Sequence, residues 1–580
     1  MSAREWLTPL LDATQMRQLD RWAIEECGVD GLELMERAGE AVASAVQRLA
    51  AEGLVVIVCG KGNNGGDGLV AARLLREASR EVEVLMLVDG EQLGGDAKVN
   101  LERLQGRPPV PLFEHRADAA AGQPGEQEGR RRDEEGSEDV QLSASARAAL
   151  SSAAVIVDAL LGTGFSGVPS LAAARAIQAI EAAGAAVIAV DVPSGVDAST
   201  GIVKGAAVHA ERTVTFDSHK RGLWINPGKR HSGISELVDI GIPRGGRRSR
   251  ELGLIEPSVL SLLPSRGAAS TKFTSGHVLV LGGSANLTGA PRLAGEAAMR
   301  AGAGYVTVCV PRSVQHVLAS GSRPELMTRG LAERDGALDA SAVGEALQAS
   351  ERGGCVVLGP GLSRERGAAA FARELGCRIP VAIVIDADGL NAYCGALEEL
   401  ASRSAPTVLT PHSGELGRLL GVDSEQVEQR RLQSAVDAAK ASGAVVVLKG
   451  DDTLVAESSG TVAVSPGGSP ALATAGTGDV LSGVIAAQLA AGLDAFTAAC
   501  AGVMMHLLAG RLAAAAQGSA EGVIASDVID ALPRSRSLVN ANLSGCCKEG
   551  ERALRAGSAN SADRAGRADC TDPPDGDRRM

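Results

Sequence analysis

Aromatic residues are scarce: six Phe, two Tyr and three Trp make up 2% of the 580 residues. With so few rings, the interior has to be built from Ala, Val, Leu and Ile. No basic stripe interleaved with aromatics occurs, and a formal charge of -13 with a pI near 5.3 argues against a nucleic-acid backbone as the main partner. The ten cysteines include no C-x-x-C pair and no paired-histidine spacing, so neither a zinc site nor a disulfide framework is signalled. Cys59, Cys309 and Cys355 fall inside apolar runs and are expected to be buried, reduced thiols. Cys546 and Cys547 lie in a polar tail where no structural role is expected. The opening MSAREWLTPLLDA carries charges early and lacks a signal-peptide core. The most apolar late stretch is broken by Asp494 and His506, which suits a buried helix better than a membrane span. The expectation is a soluble, cytoplasmic homo-oligomer acting on small molecules, with no nucleic-acid or membrane partner.

Glycine, by contrast, is abundant, with 72 residues, many beside strand-like runs. After a helical opening with Met16, Leu19, Trp22 and Ala23 at helix spacing, apolar runs alternate with Ala-rich helical stretches. LVVIVCG, EVEVLMLV, AAVIVDALLG, AAVIAVDVPSG and RTVTF form a first series. HVLVLGGS, YVTVCV, CVVLGPGL, VAIVIDADGL, PTVLTPHSGE and VVVLKG form a second. The alternation predicts α/β architecture with parallel strands and crossover helices, and the length requires more than one core. The predicted layout is a first domain at 1–243, a linker at 244–253, a second domain at 254–535 and a disordered tail at 536–580. A charged, disordered insertion is predicted at about 114–147.

Ligands of open α/β sheets bind beyond the carboxyl ends of strands, so those ends carry the candidate chemistry. Gly60-Lys-Gly-Asn-Asn-Gly-Gly-Asp-Gly68 sits between a strand and a helix. Its Gly60, Gly62 and Gly65 match G-x-G-x-x-G, but Asn63, Asn64 and Asp67 add ligating groups that an ordinary dinucleotide turn lacks. A tight turn tolerating left-handed dihedrals is the plain alternative. Asp158 and Asp191 end apolar strands, where each has either a partner or a capping role. Asn64, Asp158 and Ser194 are oxygen donors of the kind that hold a hard cation.

In the second series, Gly476-Thr-Gly-Asp479 opens a helix. A glycine turn at a helix N-terminus cradles anions, so an aspartate there needs a reason. If Gly476 to Gly478 hold a phosphoryl group, Asp479 can take the proton of an attacking hydroxyl. Lys449-Gly-Asp-Asp-Thr453 follows a strand and can grip nucleotide phosphates, and Asp386 and Asp388 offer carboxylates for Mg²⁺. Either aspartate serves equally as a cap, and His412 in TPHSGE, taken alone, reads better as a turn residue.

LMERAG at 34–39, GKGNNGGDG, VDALLGTGFSG and DVPSG, in that order, resemble the NAD(P)H-hydrate epimerase domain. The resemblance implies a Rossmann-like αβα sandwich. It implies hydrated-dinucleotide contacts from Asn63, Asn64, Gly65, Gly66 and Asp67, from Gly162, Thr163, Gly164, Phe165, Ser166, Gly167 and Val168, and from Asp191. It also implies K⁺ held by Asn64, Asp158 and Ser194, with Asp158 in acid–base work. Residues 254–535 resemble the NAD(P)H-hydrate dehydratase domain of the ribokinase-like superfamily, through GGSANLTGAPRLAGEAAMRAGAGYVTV, GPGL, DADGLN, TPHSGE, LKG and GTGDVLSG. That resemblance implies a second αβα sandwich in which Ala290, Gly361, His412 and the catalytic Asp479 face the hydrate. Lys449, Gly450, Asp451, Asp452, Thr453 and Gly478 would bind the nucleotide. Ser413 stands where proline is usual, and Ser363 where glycine is common. Mg²⁺ and ADP as co-substrate complete the expectation. A small-molecule kinase fused to a dinucleotide-binding domain, and a non-catalytic dinucleotide-binding protein, are the rival readings.

Overall fold

Runs of Val, Ile and Leu four to seven residues long form parallel strands buried on both faces, the position such continuous apolar runs require. The computed structural model describes residues 4–115, 140–246 and 248–543. Among them, a seven-stranded sheet runs in the order Ile234–Val238, Arg212–Phe216, Ala186–Val190, Ala153–Ala159, Leu54–Cys59, Val82–Met86, Val110–Pro111, every pair parallel. Alternate residues separate onto two faces. Val55 and Ile57 pack with helices Gly31–Leu49 and Asn63–Glu77, whereas Val56 and Val58 pack with helix Leu171–Ala183. From Leu54–Cys59 the chain first adds strands on one side and then returns to add them on the other. The sheet therefore switches direction between Leu54–Cys59 and Ala153–Ala159, opening a crevice at their carboxyl ends.

A twelve-stranded sheet forms the larger unit. Its seven strands from Val445–Leu448 across to Met327–Leu331 are parallel, and the switch lies between His277–Leu281 and Cys355–Leu358. Val278 and Val280 face one core, Leu279 and Leu281 the other. Helix Ala495–Gln517 is long and apolar enough to cross a membrane, and most of its apolar stretch is packed inside this unit.

The layout differs from the predicted boundaries in three places. The residues before the first helix form a strand, Leu7–Leu11, that joins the larger sheet, pairing antiparallel with Leu252–Ile255 and parallel with His219–Lys220. Leu7, Leu10 and Leu11 are almost wholly buried, and their side chains enter three different core clusters. The predicted linker at 244–253 thus ends inside the sheet, because the buried run Leu252–Ile255 completes that edge. Elements also occupy the flanks of the predicted disordered stretches: strand Val140–Leu142, helix Ala144–Ser151 and helix Ala525–Leu543. The rest of the insertion (116–139), and the tail from 544 with Cys546 and Cys547, lie outside the described residues. The predicted helical opening is Ala13–Arg21, capped by Asp12 and followed by a wider turn, Trp22–Glu26; Met16, Leu19 and Ala23 are buried. Cys59 and Cys309 are buried and unpaired, and burial pushes their thiols up to about 12; Cys355 is likewise buried and its thiol raised.

Candidate active sites

At the first switch point the chain leaves Cys59, turns through Gly60 to Gly62 and enters helix Asn63–Glu77. A Cβ on Gly60 would lie 2.0 Å from the Leu160 carbonyl oxygen, and one on Gly65 would lie 2.1 Å from that of Gly60. Those glycines let the helix start drop onto the neighbouring strand. Gly65 and Gly66 accordingly lie on the inner side of the helix, packed on Gly60 and Met35, rather than on the wall of the adjoining cleft. No side chain caps the helix at Gly62, so its first N–H groups are free for an anion. The cleft of about 730 Å³ is lined by Asn63, Asn64, Asp67, Gly162 to Ser166, Asp191 and Lys220. Val168 is 69% exposed and, with Gly167, stands outside it.

Asn64, Asp158 and Ser194 do come together. Ser194 donates from Oγ to Asp158 Oδ1 at 2.6 Å and from its backbone N–H to Oδ2 at 2.8 Å. The Leu161 N–H donates to Ser194 Oγ at 2.9 Å, and Asn64 Nδ2 donates to the Leu161 carbonyl at 3.1 Å. Burial lifts the Asp158 carboxyl to about 6 against the pull of the Ser194 hydrogen bonds. Asp158 is fully buried and absent from the cleft wall, because strand alternation turns it away from the cleft and beneath Ser194. One carboxylate among neutral oxygens is a donor set of the kind that suits a hard cation.

Asp191 is one of the carboxylates that line the cleft, with Asp20, Asp67 and Asp96. Its backbone is in the left-handed region at φ 65°, and Lys220 Nζ lies 2.7 Å from Oδ1. Thr215 donates to Oδ1 at 3.2 Å, and the Thr163 hydroxyl and N–H donate to Oδ2. Burial pushes this carboxyl up, but the Lys220 ammonium and the Thr163 hydrogen bonds together outweigh it and hold Asp191 below the usual carboxylate range. Burial raises Asp20 to about 6, and raises Asp67 well above its ordinary value with help from the Asp191 charge. Sequence reasoning missed Asp20 and Lys220. The signal for Asp20 was an acid on the buried face of the first helix, four residues from Met16. Lys220, four residues beyond a strand, gave none.

In the larger unit, helix Thr477–Ala490 begins after Gly476 in the left-handed region at φ 88°, with Asp479 in its first turn. Across from it, Lys449 Nζ lies 3.0 Å from Asp386 Oδ1 and 3.6 Å from Glu415 Oε2. A Cβ on Gly478 would lie 3.5 Å from the same ammonium. Burial, followed by the nearby Asp386 charge, pushes Asp479 up to about 7 despite Lys449. Burial lowers the Lys449 pKa, but Asp386 and Glu415 win and the net shift is upward. His412 caps helix Ser413–Leu420: its Nδ1 accepts from the N–H groups of Gly414 (3.0 Å) and Glu415 (3.3 Å). That capping role fixes Nδ1 as acceptor and leaves Nε2 as the donor. Gly361, at φ 66°, meets Ala290: a Cβ there would lie 3.4 Å from that of Ala290. Asp388 accepts from Ser363 N–H at 3.1 Å and Arg364 Nε at 3.2 Å, so its carboxylate ties down the GPGLS loop. Ser363 itself sits at φ 84°, which is why glycine suits that position. Ser413 accepts from Arg431 at 3.0 Å, a contact that proline cannot make.

Beside this centre lies a cavity of about 490 Å³. Lys449, Gly450, Asp451, Thr453, Thr477 and Gly478 line its polar end, and Leu472, Leu481, Val503 and Leu507 its apolar end. Asp452 is the exception among the predicted nucleotide residues. It is fully buried, and its Oδ2 accepts from Arg431 Nε and from the Asn226 N–H, both at 2.9 Å. Adjacent residues of a tight turn point opposite ways, so Asp451 faces the cavity and Asp452 the interior. The Thr453 hydroxyl is spent on the turn itself, donating to the Gly450 carbonyl at 2.7 Å. His506 also lines the cavity, and its buried Nε2 has no partner among the described residues; burial holds the imidazole down at about 4.

Two family models match the chain: YjeF-related protein N-terminus over residues 31–222, and NAD(P)H-hydrate dehydratase over residues 278–534. The bifunctional NAD(P)H-hydrate repair enzyme Nnr of Moorella thermoacetica is 39% identical over 538 residues, covering 90% of this chain and 96% of that relative. The chain belongs to the bifunctional NAD(P)H-hydrate repair enzyme family. The Salinibacter ruber member is 36% identical over 544 residues, 91% of this chain and 96% of its own. The solved ADP/ATP-dependent NAD(P)H-hydrate dehydratase from Bacillus subtilis, co-crystallised with ATP/Mg2+, aligns with 48% of this chain and 94% of its own, at 30% identity and TM-score 0.41. The YjeF-related match covers most of the seven-stranded unit, and the NAD(P)H-hydrate dehydratase match most of the larger one.

Proposed function

We propose that this chain returns hydrated NADH and NADPH to the reduced cofactors, interconverting the R and S hydrates at the first site and dehydrating the S hydrate at the second. The observation that carries the reading is the facing of Asp479, its carboxyl lifted to about 7, and Lys449 across an uncapped glycine turn. A general base works best when its pKa lies near the operating pH. The hydrate bears a hydroxyl on the ring carbon beside nitrogen, and hydroxide leaves poorly where phosphate leaves well.

Asp479 takes the hydroxyl proton while that oxygen attacks the terminal phosphorus of ADP. An O–P bond forms, the P–O bond to AMP breaks, and the Lys449 ammonium and the helix N–H groups hold the charge on the transferring oxygens. The ring-nitrogen lone pair then expels phosphate, and loss of a proton from the neighbouring ring carbon restores the dihydronicotinamide. Mg²⁺ suits Asp386, whose Oδ1 already faces Lys449, together with nucleotide phosphates; when bound it neutralises phosphate charge. Asp388 is committed to the GPGLS loop.

At the first site the free helix N-terminus of Asn63–Glu77 receives the dinucleotide phosphates. The Lys220–Asp191 ion pair on the cleft wall supplies a proton as the hydroxyl leaves and takes one back as water returns, and its 2.7 Å contact lets the proton pass between the two groups. Asn64, Asp158, Ser194 and the Leu161 carbonyl would hold K⁺, whose charge would steady the loop that carries Gly162 to Ser166. Incubating the protein with mixed hydrates, Mg²⁺, K⁺ and ADP should regenerate the absorbance of reduced nicotinamide. A kinase would instead leave a lasting phospho-ester and ignore the first site, and either result sinks the repair reading.

A further inference from the structure

The nucleotide cavity is built on residues that the first half supplies. After Lys220 in the first cleft, the chain crosses to the larger unit, where Ile225 is fully buried in the core with Leu252 and Leu254. The next four residues reach the turn that follows Lys449. The Asn226 N–H donates to Asp452 Oδ2 at 2.9 Å. Lys229 Nζ lies 2.6 Å from Asp451 Oδ2 and donates to the Asp451 carbonyl at 3.1 Å. Asp451 Oδ1 in turn accepts from the Gly468 N–H at 2.8 Å, and Asp451 and Gly468 both line the nucleotide cavity. A Cβ on Gly467 would sit 3.2 Å from Lys229 Nζ, so this ammonium lies between Asp451 and the loop that leads into Gly468.

We propose that Lys229 is a positioning residue of the nucleotide site, so that the dehydratase half is incomplete without the epimerase half. The inference rests on the reading of this cavity as the nucleotide site. Asp451 is a carboxylate on the wall of a cavity meant for a polyanion. Without its lysine it would repel phosphate and release the loop at Gly467 and Gly468. The other charges facing it, Arg230 and Arg511, lean the same way. Yet Arg511 binds the Gly467 carbonyl at 3.4 Å and so cannot take over both contacts. The Lys229 ammonium is mostly covered while the Asp451 side chain is 58% exposed, which places the pair at a solvent rim.

The test uses the full chain with Lys229→Ala and Lys229→Arg. The alanine variant should raise the nucleotide KM roughly three- to ten-fold, as loss of one rim charge facing a polyanion does, with hydrate KM and kcat moving far less. The arginine variant should recover most of the loss. Calorimetric titration with ADP should show the same weakening, and the epimerisation rate in the same samples reports whether the first half is folded. An unchanged nucleotide KM in Lys229→Ala overturns the inference while the site reading stands. A loss shared equally by every parameter and not rescued by arginine also overturns it, since that marks a merely structural contact. Failure of the unmodified protein to bind ADP at all sinks the nucleotide-site reading instead.

Discussion

Asp479→Asn removes one proton acceptor and leaves the shape of the turn intact. With its carboxyl at about 7, Asp479 is roughly one-tenth ionised near pH 6 and roughly nine-tenths near pH 8. The rate of S-hydrate dehydration in the unmodified protein should therefore climb about ten-fold across that interval. The asparagine variant should lose about 10²- to 10⁴-fold, the usual contribution of a positioned base, and its residual rate should be flat with pH. Loss of fold can be separated from loss of chemistry. A carboxyl whose folded pKa exceeds its unfolded value, roughly 4, contributes stability at low pH that disappears as pH rises through about 7. At pH 8 the variant should melt no lower than the parent. The assay is recovery of reduced-nicotinamide absorbance from purified S hydrate with saturating ADP, read at constant ionic strength. A flat profile in the parent, or a variant within ten-fold of it, refutes the assignment of Asp479 as base.

Lys220→Met leaves the Asp191 carboxylate buried without its cation; R-to-S conversion should fall by about 10²-fold or more while dehydration of supplied S hydrate persists, as chiral separation of the epimers will show. K⁺ should raise the melting temperature of the parent more than the same concentration of a bulky organic cation. Asp158→Asn should erase that increment. Asp452→Ala strands the Arg431 guanidinium, 2% exposed, without its buried partner and should cost about 3–5 kcal/mol in a denaturant melt. A loss under 1 kcal/mol would mean that solvent reaches the pair.

The strand ends were legible because continuous Val/Ile/Leu runs closing on glycine have few other uses, and both switch points fell on motifs visible in the sequence. Asp191 and Lys449 stood out as charges at the ends of apolar runs, and Asp479 as an acid in a glycine turn built for anions. Asp451 and Asp452 could not be told apart, since only the turn decides which neighbour looks outward. The direction of the Asp158 side chain was hidden for a related reason: side chains alternate along a strand, and sequence does not say which face carries the cleft. Leu7–Leu11 was overlooked because a five-residue run containing Pro9 says nothing about a partner at Leu252–Ile255, some 240 positions later. The Lys229–Asp451 contact is equally remote in sequence and leaves no local signature.

Leu7, Leu10 and Leu11 hand three neighbouring side chains to three separate interiors. A gene split anywhere between the two catalytic stretches would leave one product with a vacant groove and the other with a sticky, leucine-studded end. Any organism that makes this polypeptide is thereby bound to produce its two activities in equal numbers, and parting them would take new residues to plug the gap.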